Sequence, residues 1–195
     1  MTEEGLAFAE QVGHRIGQSI TGRTLRVVSG ETLRTRQTAT AVAAGARRAG
    51  ADVTEPRTAF ALRNPDLYLG GERVDMVSSI GALAAQVPEL GEQAADSPFF
   101  SGFLAASDRI GFWLTHPAPP GDDAATVAAR INAWAASLSD LPAGQVTVGV
   151  THSPVLRACG LALGADPGEP AWVSGLRVQV LPDRATRIQS LNLSH

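Results

Sequence analysis

Two segments of the chain follow the same order of a short apolar strand, a tight polar loop and a helix. In the first, a short strand at 25–28, apolar except for Arg26, precedes a turn at 29–32 and a helical pattern at 33–50. In the second, an apolar strand at 145–150 precedes a histidine and a helical pattern at 154–163. Strands that alternate with helices indicate a mostly parallel sheet with helices on both faces. The sequence therefore predicts an α/β fold.

The remaining segments fit the same class. Apolar residues at spacings of three and four predict helices, and turn residues mark an irregular stretch at 60–73 and a break at 116–121. A hairpin turn is expected at 182–185. The other predicted elements are helices at 3–19, 74–93, 99–115 and from Asp122 or Asp123 to about 138, and strands at 52–55, 176–181 and 186–191.

Composition excludes several classes of protein. The 195 residues suit one domain, and 44% hydrophobic with 18% charged residues is typical of a globular chain. A net charge of −3 argues against general nucleic-acid binding. No apolar run approaches the roughly 20 residues that a membrane span requires. Because the acidic start is followed by no apolar signal core, we expect a cytoplasmic protein.

Cysteine and lysine usage narrows the chemistry further. Cys159 is the only cysteine, which excludes an intrachain disulfide and a cysteine-based zinc site, and its apolar neighbours predict that it is buried. All 16 basic side chains are arginine, which, with abundant alanine and glycine, is typical of a GC-rich bacterial genome. An anion site must therefore use arginine, histidine or backbone N–H groups.

His152 lies between the second strand and its helix, with Ser153 as a favoured N-cap and Pro154 as a favoured first helical residue. The N–H groups and positive dipole end of a helix attract anions, so a histidine here suits an anion site. The alternative is a histidine in a tight loop with no chemical role.

Arg34 stands at the corresponding position of the first unit, just past a strand end. If the two strands are neighbours in a parallel sheet, Arg34 and His152 reach the same crevice. An arginine fork beside a histidine suits a phosphate. The alternative is that Arg34 and Arg36 are solvated helix residues.

Four segments, in order, carry a resemblance to a known family. In chain order they are Thr2-Glu3-Glu4-Gly5 with Ala9, Val12 and Gly13; Ser29-x-x-x-x-Arg34-x-x-Gln37-Thr38-Ala39; Pro120-Gly121-Asp122-Asp123 before Val127-Ala128-Ala129-Arg130; and Val150-Thr151-His152 with Val155-Leu156-Arg157-Ala158. Together they resemble the phosphoglycerate-mutase-like branch of the histidine phosphatase superfamily, over nearly the whole chain.

The resemblance implies a doubly wound, three-layer α/β/α fold in a single domain over residues 1–195, in which about 74–121 forms a helical lid. It also implies phosphoryl transfer by two histidines and two arginines in one pocket. One histidine attacks phosphorus and becomes phosphorylated, and the other groups hold the phosphate. A carboxylic acid protonates the leaving oxygen. No metal or other cofactor is implied.

Carried over by resemblance, Arg34 binds phosphate and His152 is the second, non-attacking histidine. Ser29 and Ser153 are assigned to phosphate binding, although the family has Gly-Gly where this chain has Ser153-Pro154, so Ser153 could instead only cap the helix. Asp66, four residues before Gly70, is the candidate acid. Glu72 and Glu31 are the alternatives, and Asp66 could instead cap a turn.

The Arg-His-Gly triplet that ends the family's first strand, and that carries the attacking histidine, does not occur in this sequence. We consider a truncated or mis-started chain, a protein that has lost catalysis, and a strand from another chain. We favour truncation, because removing a central strand exposes sheet edges that an evolved protein must cover.

Two functions follow from these observations. The first is a phosphatase acting on a small phosphomonoester or phosphohistidine, and the second is a non-catalytic phosphate-binding or interaction protein. A serine hydrolase using Ser29 and His152 is disfavoured, because Ser29 is not in a Gly-x-Ser-x-Gly elbow. The expected partner is a phosphorylated small molecule or phosphate, not nucleic acid or membrane. The sequence does not decide between a monomer and a homodimer.

Overall fold

A computed structural model describes residues 2–164, 168–170, 174–181 and 186–191. The chain forms two compact units, one of Met1–Arg63, Arg130–His152 and Glu169–His195, and one of Asn64–Ala129 and Ser153–Gly168. The strands are β1 Thr24–Ser29, β2 Asp52–Val53, β3 Arg57–Thr58, β4 Leu67–Leu69, β5 Glu72–Val74, β6 Gln145–Val150, β7 Gly175–Val180 and β8 Thr186–Leu191. The helices are α1 Glu3–Ser19, α2 Leu33–Arg48, α3 Ile80–Ala84, α4 Pro98–Ala105, α5 Arg109–Thr115, α6 Ala124–Ser137 and α7 Ser153–Ala162.

A parallel sheet built around β1 organises the first unit. β6 pairs with β1 along its whole length, from Thr24 opposite Gln145 to Ser29 opposite Val150. At the other edge of β1, β2 pairs with its beginning and β3 with its end. Because all three pairings are parallel, the loops that follow β1 and β6 emerge at the same end of the sheet.

Helices cover both faces of this sheet. The side chains of Val146, Val148 and Val150 pack against the core that α1, α2 and β1 form on one face. Gly149 alternates with them and so faces the other way, where a Cβ would lie 3.0 Å from the Trp134 ring of α6. The α/β class with a mostly parallel sheet is therefore confirmed.

Two glycines allow α1 and α2 to approach closely. A Cβ on Gly13 would overlap the carbonyl oxygen of Val42, and a Cβ on Gly45 would overlap that of Glu10. Both glycines are buried in the helix contact. This contact holds α2, and with it the start of the helix where Arg34 lies.

The second unit departs most from the sequence prediction. The stretch at 60–73, predicted to be irregular, contains the first strand of a β4–β5 hairpin, whose turn uses Gly70 and Gly71 at positive φ. The helix predicted at 74–93 is wrong, because only α3 and a 3₁₀ turn at Gly91–Asp96 form there. Pro88 and the positive φ of 54° at Gly91 interrupt the helical pattern. The helix predicted at 99–115 is broken into α4 and α5.

Elsewhere the predicted elements are confirmed within one or two residues. α1, β6 and β8 have the predicted bounds, and Asp123 caps α6 by accepting from the N–H of Thr126 at 2.7 Å. β7 and β8 form the expected antiparallel pair, whereas the turn predicted at 182–185 lies outside the described residues. Across the part of the chain that the structure describes, no helix is long and apolar enough to cross a membrane.

Candidate functional site

Arg34 and His152 meet at the end of the sheet where β1 and β6 finish side by side. Arg34 is the second residue of α2, and His152 follows β6 by two residues. The guanidinium donates to Nδ1 of the imidazole from Nε at 3.3 Å and from Nη2 at 3.1 Å. The pairing of β1 with β6 is what brings these two residues together across more than a hundred positions of sequence.

The hydrogen bonds fix the tautomer of a neutral His152. Arginine only donates, so Nδ1 accepts and the ring proton lies on Nε2. Nε2 then donates to Oγ1 of Thr32 at 3.3 Å. Oγ1 of Thr32 lies 3.0 Å from Oγ1 of Thr35. The Thr35 hydroxyl in turn donates to the carbonyl of Gly30 at 3.0 Å. A directed chain of hydrogen bonds therefore ties the imidazole to the end of β1.

His152 is buried, with only 7% of its surface exposed. Burial, and secondly the nearby charge of Arg34, lowers the pKa of His152 from 6.5 to about 4. The ring is therefore neutral at pH 7, and a proton would be unfavourable there without an anion to offset it. An anion between Arg34 and His152 would favour the protonated ring.

The start of α2 is electrostatically unusual. Its first turn contains no acidic residue and does contain Arg34, whereas the first turn of α1 contains Glu3 and Glu4. Acidic residues normally stabilise a helix N-terminus, where the backbone N–H groups carry positive partial charge. Arginine at this position adds to the positive potential, so the site favours a bound anion.

The other predicted site residues are divided between the two units. Ser29 ends β1 in the first unit, is buried, and accepts a hydrogen bond at its carbonyl from the N–H of Ala59. Glu31, half-buried, precedes Thr32 in the same unit. Ser153, the first residue of α7, belongs to the second unit and begins its helix one residue earlier than predicted.

The two remaining acid candidates also belong to the second unit. Asp66 precedes β4 and its Oδ1 accepts from Nε of Arg73 at 2.5 Å. Glu72 begins β5 and is exposed. Arg73, its partner in this ion pair, lies on β5 of the same hairpin.

Sequence reasoning missed Thr32, Thr35 and Thr151. Thr32 caps α2 by accepting from the N–H of Thr35, and threonine before a helical pattern is a usable signal for this role. Oγ1 of Thr151 donates to the carbonyl of Leu62 at 2.7 Å. That contact joins the residue before His152 to a distant turn, and no local sequence pattern predicts it.

One edge of β6 is open among the described residues. Within that part of the chain β6 pairs with β1 alone, and β7 with β8 forms a separate antiparallel sheet. Parallel strands are normally paired on both edges in the interior of a sheet. The open edge ends two residues before His152, so a strand added there would finish beside the Arg34–His152 pair.

Two further observations concern metal-binding groups and the cysteine. No group of three histidine, cysteine, aspartate or glutamate residues that could hold a metal ion occurs among the described residues. Cys159 is buried, as predicted.

Comparison with known proteins shows the fold. No protein-family model matches the chain, and no curated protein matches it. Among solved structures, Bacillus stearothermophilus YhfR is similar at a TM-score of 0.55 and 17% identity, covering 97% of this chain and 83% of that one. YhfR has a phosphoglycerate-mutase-like fold, so the predicted fold class is confirmed.

Proposed function

We propose that this chain carries the phosphate-holding part of a histidine phosphatase site, which hydrolyses a phosphomonoester or a phosphohistidine through a phosphohistidine intermediate. The observation that carries the proposal is the guanidinium of Arg34 donating to the buried imidazole of His152 at the positive start of α2. The ordered sequence motifs and the phosphoglycerate-mutase-like fold support it.

The two side chains have complementary roles in this proposal. The guanidinium of Arg34 donates hydrogen bonds to the phosphate oxygens. His152 takes up a proton when the anion binds, because the anion raises the pKa of the imidazole. Both groups then stabilise the negative charge on the equatorial oxygens while the phosphoryl group moves. Asp66 is our candidate for the acid that protonates the leaving oxygen.

The attacking histidine is not among these residues, because the sequence contains no Arg-His-Gly triplet. We propose that it belongs to a strand that pairs with the open edge of β6. In the reaction, its ring nitrogen forms a bond to phosphorus as the bond from phosphorus to the leaving oxygen breaks. Water then attacks phosphorus, and the histidine leaves as free imidazole with phosphate released.

A second candidate function is a non-catalytic phosphate-binding protein. The absence of the triplet favours it, because Arg34 and His152 by themselves form a binding site and not a nucleophile. This function predicts phosphate binding without turnover and without any phosphorylated histidine.

Calorimetric titration of the 195-residue chain with inorganic phosphate tests the shared part of both functions. Arg34→Gln and His152→Gln should each weaken phosphate affinity about tenfold or more, as expected for lost charge-assisted hydrogen bonds. Arg36→Gln is the matched control, because Arg36 lies on the same helix, is exposed to solvent and lines the groove between α1 and α2. Equal affinity in all four proteins would refute the site.

Turnover separates the two functions. A version of the chain extended by a strand ending in Arg-His-Gly should hydrolyse p-nitrophenyl phosphate, and His152→Gln in that version should remove most of the activity. A trapped phosphohistidine would support the phosphatase. An extended, folded chain that binds phosphate but never hydrolyses the ester would favour the binding protein.

A further inference from the structure

Among the described residues, Phe60 is the most exposed aromatic one, with 63% of its surface accessible, and it lies near the end of the parallel sheet. The guanidinium of Arg63 lies over one face of its ring, with Cζ at 4.0 Å from the ring centroid. Nη1 of Arg63 also donates to the carbonyl of Phe60 at 3.3 Å. The guanidinium therefore covers one face of an otherwise exposed ring, and we call this pair the Phe60–Arg63 platform.

The platform is fastened to the same end of the sheet as Arg34 and His152. Phe60 opens a 3₁₀ turn that ends at Leu62, and the residue before the turn donates its N–H to the carbonyl of Ser29 at 2.8 Å. The carbonyl of Leu62 accepts from Oγ1 of Thr151 at 2.7 Å. Ser29 ends β1 and Thr151 directly precedes His152, so both anchors lie beside the candidate site.

Close packing keeps the turn in place. A Cβ on Gly30 would lie 2.8 Å from the carbonyl oxygen of Leu62, and the Leu62 side chain is buried against Gly149 of β6. After the turn, Nη2 of Arg130 donates to the carbonyl of Arg63 at 3.0 Å. The backbone under the platform is thus held from β1, β6 and α6, which gives a preorganised surface.

We propose that the Phe60–Arg63 platform binds the leaving group of the phosphoester and selects a planar aromatic one. The inference rests on the proposed function, because it assumes that phosphate is held by Arg34 and His152. A phenyl ring and a guanidinium both stack favourably on a flat π system, and an exposed apolar ring gains from being covered. A saturated ring of the same size has no π system, so it gains the apolar contact but not the additional aromatic term.

Binding of three ligands tests the platform: inorganic phosphate, phenyl phosphate and cyclohexyl phosphate, each titrated calorimetrically into the 195-residue chain. We expect phenyl phosphate to bind about 2–10-fold more tightly than cyclohexyl phosphate, the range that aromatic pairing contributes beyond area. Phe60→Leu, which keeps an apolar side chain, should bring this ratio near one and leave phosphate affinity unchanged. Phe60→Tyr should keep the ratio.

Leu33→Ala is the matched control, because Leu33 is 64% exposed, lies next to Arg34, and lines the groove between α1 and α2. In this variant the ratio of phenyl phosphate affinity to cyclohexyl phosphate affinity should equal that of the unmodified chain. The platform is overturned if the preference for phenyl phosphate persists in Phe60→Leu, or if the unmodified chain shows no such preference. In either case, binding of inorganic phosphate would still support the proposed function. Failure of all three ligands to bind overturns both.

Discussion

The imidazole of His152 accepts hydrogen bonds from Arg34 at 3.1 and 3.3 Å, so a permanent cation is in direct contact with a buried, titratable ring. This arrangement keeps the free site neutral at the histidine and positive at the arginine. It also makes His152 sensitive to whatever anion occupies the site, because the anion reverses the electrostatic environment of the ring.

Sulfate affinity should therefore rise as pH falls from 7 to 5. The pKa of free His152 is about 4, and a bound dianion raises it, so binding is accompanied by proton uptake in this range. Sulfate itself stays a dianion throughout, which removes the ligand's own titration from the measurement. Calorimetric titration across pH checks this, and His152→Gln should have the flatter profile. An unmodified chain with pH-independent affinity would contradict it.

Arg34→Gln should raise the pKa of His152, because the charge of Arg34 is the second cause of its depression. Burial is the larger cause, so the pKa should move up from about 4 and stay below 6.5. The imidazole proton resonances followed by NMR from pH 3 to 8 give the value directly. The matched variant Arg36→Gln should leave the titration unchanged, and a shift of equal size there would mean that the effect is not local.

The α/β fold and the pairing of Arg34 with His152 could be predicted from sequence, for physical reasons. α1 and β6 have unbroken apolar periodicity, so their bounds follow from residue spacing alone. β3 was missed because its two residues, Arg57 and Thr58, are both exposed and show no alternation. The parallel order also made the meeting of Arg34 and His152 foreseeable.

The rest depends on tertiary contacts that leave no local signal. The hydrogen bond from His152 to Thr32 and the stacking of Arg63 on Phe60 are set by how separate turns pack, not by residue spacing. The helix predicted at 74–93 does not form as one element, because Pro88 and the positive φ of Gly91 interrupt an otherwise helical apolar pattern.

Gly13→Ala and Gly45→Ala should each destabilise the protein by about 1–3 kcal/mol, the range for overpacking a tight core. In both cases the new methyl group would overlap a carbonyl oxygen of the facing helix, so α1 and α2 must separate. Chemical denaturation gives the change in unfolding free energy. Gly81→Ala in α3 is the control, because its Cβ meets nothing within 4 Å and helix propensity favours alanine. Similar losses in all three variants would refute the close-contact explanation.

Asp108→Asn should lower stability by about 1 kcal/mol near neutral pH, with little loss at pH 2. Arg157 is 2% exposed and donates to both carboxylate oxygens of Asp108, at 2.7 and 2.6 Å, while Asp108 also caps α5 through the N–H of Gly111. Asparagine can keep the cap, so the variant isolates the ion pair, whose contribution is modest because the Asp108 side chain is 57% exposed.

The hydrogen bond from Arg157 is the main reason that the pKa of Asp108 falls from 3.8 to about 2. A depressed carboxyl pKa stabilises the fold above 3.8 and ceases to do so as pH falls toward 2. Unfolding free energies of the two proteins, measured from pH 7 to 2, should therefore converge between pH 4 and 2, and a constant difference would show that the ion pair is not its cause.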